Sequence, residues 1–115
     1  MPAARHDLLI EKGSTFRLEV TWKDSAGAPV DLDGYSAKAQ VRKSYTSEPV
    51  LTFDSADNSI ELGDGGKITL LASATQTSAL PISSMCVWDL ELTSAGDEVT
   101  RLLEGEVSFS EEVTR

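Results

Sequence analysis

The chain has 115 residues and a mass of 12.4 kDa, the size of one domain around one core. Nineteen acidic residues against ten basic ones leave a net charge of −9, a field that repels phosphate backbones and anionic membrane surfaces, so neither nucleic acid nor membrane insertion is expected. A lone Cys86 rules out an internal disulfide, no Cys/His cluster offers a zinc site, and no run approaches the ~18 apolar residues of a membrane span.

Read in chain order, Met1 to Asp7 carries Arg5, His6 and Asp7 with no apolar stretch behind it, so neither signal peptide nor anchor is expected. Asp7 to Ile10 reads as a short strand closed by Lys12-Gly13-Ser14. From Thr15 to Trp22 the apolar Phe16, Leu18, Val20 and Trp22 alternate with Thr15, Arg17, Glu19 and Thr21, the period of a strand with one face buried. The turn formers Asp24 to Ala28 and the non-donating Pro29 end the pairing.

Ser36 to Lys43 places the small Ala37 and Ala39 on one side with Val41, which predicts close approach of an opposing sheet. Val50 to Asp54 and Ser59 to Leu62 are the next strands, and Gly63-Asp64-Gly65-Gly66 predicts a hairpin into Lys67 to Leu71. Ser73-Ala74-Thr75-Gln76 has the spacing of a capping box, so one or two helical turns should run to about Leu80, where Pro81 stops them. Alternation resumes from Cys86 to Thr93, and a last strand from about Val99 to Phe109 puts Val99, Arg101, Leu103, Gly105, Val107 and Phe109 on one face. There Arg101 breaks the apolar phase and Gly105 invites a bulge or a close backbone approach. These elements predict an all-β fold: a single antiparallel immunoglobulin-like β-sandwich of seven or eight strands with one short helical turn, a barrel being the alternative.

Chemistry is sparse. His6 stands alone near the chain start, and Cys86 has no neighbour in sequence to activate it, so it reads as a small buried filler. Asp31-Leu32-Asp33-Gly34 lacks the further ligands and terminal Glu of a calcium loop. Asp57-Asn58 and Gly63 to Gly66 could share an ion only if the loops converge; turn chemistry accounts for each alone. Asp89 with Glu91 and Glu104 with Glu106 lie two apart on exposed strand faces, where solvation is the default role. No nucleophile elbow, P-loop or dinucleotide fingerprint is present, so no catalytic, cofactor-binding or metal-binding residue is expected and the chain does not read as an enzyme. Trp22 and Trp88 fall on core phases, leaving Tyr35 and Tyr45 as the candidates for exposed aromatics.

The opening from Arg5 to Phe16, the segment Thr21-Trp22 with Gly27 to Tyr35, and the close from Leu90-Glu91-Leu92-Thr93 to Arg101-Leu102-Leu103-Glu104-Gly105 resemble the small β-sandwich structural proteins of tailed bacteriophages. The nearest family is that of the collar protein that attaches L-shaped tail fibres in siphophages. Its members often carry a Gly and a Tyr before the penultimate strand, where this chain has Ser83-Ser84-Met85-Cys86. The resemblance implies a virion protein, made in the host cytoplasm and placed at the tail collar, baseplate or fibre attachment, packing as a homo-oligomeric ring against other tail or fibre proteins. It supplies no ligand residues. A carbohydrate-binding accessory module and a capsid decoration protein are the alternatives.

Asp89 to Arg115 holds eight of the acids and two of the bases, so a basic partner is expected to dock toward that third. The expected interface residues are Glu104, Glu106, Glu111 and Glu112, the densest patch of one sign, together with Leu102, which is out of phase with the core face of its strand and is expected either as an exposed apolar contact or covered by a loop or by Leu9.

Overall fold

A computed structural model describes residues 3–80 and 85–110. Nine strands form two sheets: β1 (Ala4–Arg5), β2 (Leu8–Glu11), β3 (Phe16–Thr21), β4 (Ser36–Arg42), β5 (Pro49–Asp54), β6 (Ile60–Leu62), β7 (Lys67–Ala72), β8 (Cys86–Thr93) and β9 (Val99–Ser110). The larger sheet has the order β1-β9-β8-β4-β5, with β2 also pairing β9; the smaller is β3-β7-β6. One helix, α1 (Ala74–Ser78), follows β7. The predicted sandwich is thus present, and among the described residues no helix is long and apolar enough to cross a membrane.

The alternation read from the sequence sets the core. Ala37, Ala39 and Val41 of β4, Leu51 and Phe53 of β5, Cys86, Trp88, Leu90 and Leu92 of β8, and Ile68, Leu70 and Ala72 of β7 are all buried. Each fully buried large aliphatic side chain contributes roughly 1.5–3 kcal/mol. The predicted hairpin pairs Ile60 with Leu70 and Leu62 with Ile68 across the Gly63–Gly66 turn. The capping box closes as expected: Ser73 Oγ accepts the Gln76 amide at 3.1 Å and the Gln76 side chain accepts the Ser73 amide at 2.8 Å. Pro81, assigned to stop the helix, and the Ser83-Ser84 corner lie outside the described residues.

Three features depart from the expected pattern. The pairs are antiparallel except for β1 and β2, which run parallel to β9 in one register, Ala4 opposite Leu103 through to Glu11 opposite Ser110. Splitting that opening segment in two raises the strand count to nine. The second is a bulge in β9: Leu90 pairs Leu103, but Glu91 pairs Arg101, leaving Leu102 as the extra residue. The side-chain phase therefore flips at Leu102. Leu103, Gly105, Val107 and Phe109 keep the inward phase, whereas Thr100 opposes the buried Leu92 and Val99 and Arg101 turn outward. Arg101 thus breaks no apolar face, and Leu102 is half-buried against the core instead of projecting as an exposed contact. Third, Tyr35 is half-buried with its ring 5.7 Å from that of Trp22 in an edge-on contact, so of the two tyrosines only Tyr45 is exposed.

A candidate interaction surface on the larger sheet

The outer face of β4, β8 and β9 carries the charges that alternate with the core residues. Glu104 lies opposite Asp89 and Glu106 opposite Val87 across the β8–β9 ladder. The outward turn at the bulge sets Arg101 among three carboxylates: its guanidinium lies 3.5 Å from Asp89, 3.8 Å from Glu91 and 3.5 Å from Glu104. Further along, Arg5 of β1 reaches Glu106 at 2.8 Å and Asp7 at 3.2 Å. Four strand carboxylates thus share two guanidinium groups on a face whose backbone is fixed by the ladder. All these side chains are substantially solvated, so each pair contributes at most about 1 kcal/mol and the surplus negative charge remains available to a partner.

Beside this array lies a shallow groove of about 490 Å³, lined by Gln40, Arg42, Tyr45, Asp89, Glu91 and Arg101. Arg42 is braced by Gln40 Oε1 at 2.7 Å and by the Ser47 carbonyl. Tyr45, 85% exposed, stands at the groove's rim. Burial, followed by the like charge of Glu91, raises the Asp89 carboxyl above the usual carboxylate range despite the nearby Arg101.

Glu104 and Glu106 of the expected interface are therefore exposed on one outer face, Leu102 packs against the core, and Glu111 and Glu112 lie outside the described residues. Sequence reasoning missed Arg101 and Arg5 as the cations that organise the acids. The apolar doublet Leu102-Leu103 inside an alternating strand was the available signal for the first. Nothing local marks Arg5, which meets Glu106 across a separation of 101 residues.

The seam that holds Arg5 is specific. Gly105 sits where the N-terminal segment crosses β9: a Cβ there would lie 2.4 Å from the His6 carbonyl oxygen and 2.8 Å from Asp7 Oδ1, so the close approach expected of this glycine is met. Trp88 donates its indole N–H to the His6 carbonyl at 2.7 Å, and Asp7 Oδ1 accepts the Glu106 amide at 2.9 Å. That amide bond, aided by Arg5, holds the Asp7 carboxyl below its ordinary range. His6 is exposed and reaches Trp88 only edge-on at 6.4 Å. Cys86 is buried, and desolvation pushes its thiol up, away from nucleophilic use.

The candidate ion loops converge only in part: Asp57 and Asn58 line a separate depression with Ser59 and Ser73, apart from the glycine turn. Asp31-Leu32-Asp33 and Gly63-Asp64-Gly65 line a common cleft of about 270 Å³. Their carboxylates nevertheless serve the turns: Asp31 Oδ1 accepts the Asp33 amide at 3.0 Å, and Asp57 Oδ1 likewise accepts the Ser59 amide at 2.9 Å. Among the described residues no group of three or more acidic, His or Cys side chains could hold a metal ion.

No family model and no curated protein sequence matches the chain. Among solved structures, it is similar to the extracellular domains of the voltage-gated sodium channel β4 subunit, with 14% identity, a TM-score of 0.53 and coverage of 98% of this chain and 97% of that one. Those domains are described as parallel homodimers whose structures explain a role in cell–cell adhesion. At this identity the shared property is the fold, an immunoglobulin-like β-sandwich.

Proposed function

We propose that the chain is a non-enzymatic structural protein of a tailed-phage virion, a tail collar, baseplate or fibre-attachment component that acts through protein–protein contacts as a ring of copies on the particle. The observation that carries this reading is the residue pattern running from Arg5 to Gly105, which resembles the siphophage collar family over nearly the whole chain. The outer face of the larger sheet supports it physically. A rigid ladder presenting Asp89, Glu91, Glu104 and Glu106 around Arg101 and Arg5 fits a partner with a basic surface, which would gain steering and register from the charges. Copies carrying −9 repel one another over most of their surface, so ring closure is expected on a less acidic tail or fibre surface.

The test is the composition of purified particles from the source. The chain is expected at a fixed ratio to the major tail protein, with gold-labelled antibody decorating the tail; particles that lack it overturn the reading. Carbodiimide cross-linking of the particle should join Glu104 or Glu106 to lysines of a neighbouring tail or fibre protein. A second reading, a carbohydrate-binding accessory module, draws on the exposed Tyr45 beside the polar groove. A glycan array with hits lost in Tyr45→Ala would favour it; an array without hits removes it.

A further inference from the structure

The flank of the smaller sheet at β3 is unfinished in both its backbone and its side chains. Trp22 donates its amide to the Gly66 carbonyl at 2.8 Å, and the ladder is in register from there to Phe16 opposite Ala72. Even-numbered residues of β3 therefore direct their N–H and C=O groups at β7, and Arg17, Glu19 and Thr21 direct theirs away from the sheet. The β7 side agrees, since Leu71 turns the other way and donates to Ser59 at 2.8 Å. No described residue takes up the outward backbone groups of Arg17, Glu19 or Thr21. Phe16, Leu18 and Val20 point toward the core, yet each is only half-buried, whereas their opposites Ala72, Leu70 and Ile68 are fully buried.

The strand's sequence is complementary to itself. Laid antiparallel against a second β3 with the two-fold axis at Leu18, Arg17 of one copy stands opposite Glu19 of the other, and the same pair recurs on the far side of the axis. Phe16 then meets Val20, and Leu18 meets Leu18. In this register Arg17 and Glu19 form the hydrogen-bonded pairs, the arrangement that their outward backbone groups require. Any shift by two residues sets like charges opposite each other or strands Arg17 against a threonine.

Charge distribution favours the same flank. On the outer face of β3 and β7, Glu19 lies 3.3 Å from Arg17 and 3.8 Å from Lys67, so this region escapes the acidity of the larger sheet. The other long edge is blocked: β5 opens on Pro49, pairs β4 through a register shift at Arg42, and spends the Asp54 amide and carbonyl on Ser59 Oγ. β6, three residues long, is too short to template a partner.

We infer that β3 is a self-association edge, at which two copies of this chain pair antiparallel about Leu18 and join their smaller sheets into one continuous six-stranded sheet. Such a contact is isologous and closes at two copies. It is independent of the tail reading and leaves the outer face of the larger sheet uncovered.

Analytical ultracentrifugation of the wild-type chain, from micromolar to about millimolar concentration at physiological salt, should show a reversible monomer–dimer equilibrium. Arg17→Glu and Glu19→Arg should each remain monomeric, because each sets like charges opposite each other, while near-ultraviolet circular dichroism shows both still folded. Mixed in equal amounts, the two variants should regain a dimer of one copy each, since the two carboxylates on the β3 of the first then face the two guanidinium groups on the β3 of the second. A wild type that stays monomeric throughout overturns the proposal. So does a dimer that survives either single reversal, or a mixture that fails to associate.

Discussion

At one flank of the molecule β1 and β2 pair with β9 between Leu103 and Ser110, with Trp88, Asp7 and Gly105 locking the crossing. At the opposite extreme, β3 leaves a row of backbone groups and three half-buried apolar side chains open to solvent. β3 alternates cleanly, β9 does so on either side of the doublet Leu102-Leu103, and without β1 and β2 both would border their sheets. What separates them is the presence of a glycine. Gly105 lets a second backbone come within contact distance, so the edge is sealed by the segment of β1 and β2; β3 has no glycine and, among the described residues, no strand to pair its outer side. An edge closed within the chain carries stability, and an edge left open carries association.

The largest test of that contrast is a pair of equivalent truncations. Leu70→Ala on the fully buried side of the β3–β7 ladder should cost about 4 kcal/mol in urea unfolding, and Leu18→Ala directly opposite only about 1–2 kcal/mol at monomeric concentrations. Equal costs would mean that the β3 flank is as well packed as the other. Next, Gly105→Ala forces a methyl group onto the His6 carbonyl and should cost about 2–3 kcal/mol, with the N-terminal amides losing hydrogen-exchange protection first. Trp88→Phe keeps most of the apolar volume but leaves the His6 carbonyl without its donor, for a loss of about 1–2 kcal/mol.

Two acids should shift stability with pH in opposite senses. Asp7 has a folded pKa below its unfolded value, so the unfolded chain binds the extra proton and stability is lost as pH falls through that folded value; Asp7→Asn should flatten this acid limb. Asp89 has a folded pKa above its unfolded value, so its charge opposes folding above the ordinary carboxylate range. Asp89→Asn should therefore stabilise slightly at neutral pH, by well under about 1 kcal/mol for so solvated a group, and the gain should vanish on acidification. A gain that grows toward acid would reverse the assignment.

Local chemistry made most of the fold legible. Alternation located the principal strands, the glycine run located the β6–β7 hairpin, and Ser73 with Gln76 located the helix start, because each signal operates within a few residues. The role of Gly105 was legible as a close approach, although not the identity of what approaches. Contacts that depend on distant parts of the chain were hidden. Ala4 finds Leu103 in parallel register, and Thr77 Oγ1 ties α1 to the turn at Gly13 and Ser14, with hydrogen bonds of 3.1 and 2.8 Å. For the surface, exposed Glu104 and Glu106 followed from strand phase, but one bulge at Leu102 moved Arg101 to the other side of the sheet. A period-two reading carries its phase forward unchanged and cannot register such a slip.

The parallel seam between the first and last strands also bears on how the protein is made. Leu8 and Ile10 emerge from the ribosome early, yet their ladder partners Val107 and Phe109 are synthesised about a hundred residues later. The larger sheet can be completed only once β9 has been made, so its closure waits on a long loop and carries a high loop-closure entropy. Until then two apolar residues destined for complete burial wait in the open, and a nascent chain stalled before β9 would present them to chaperones or to its neighbours.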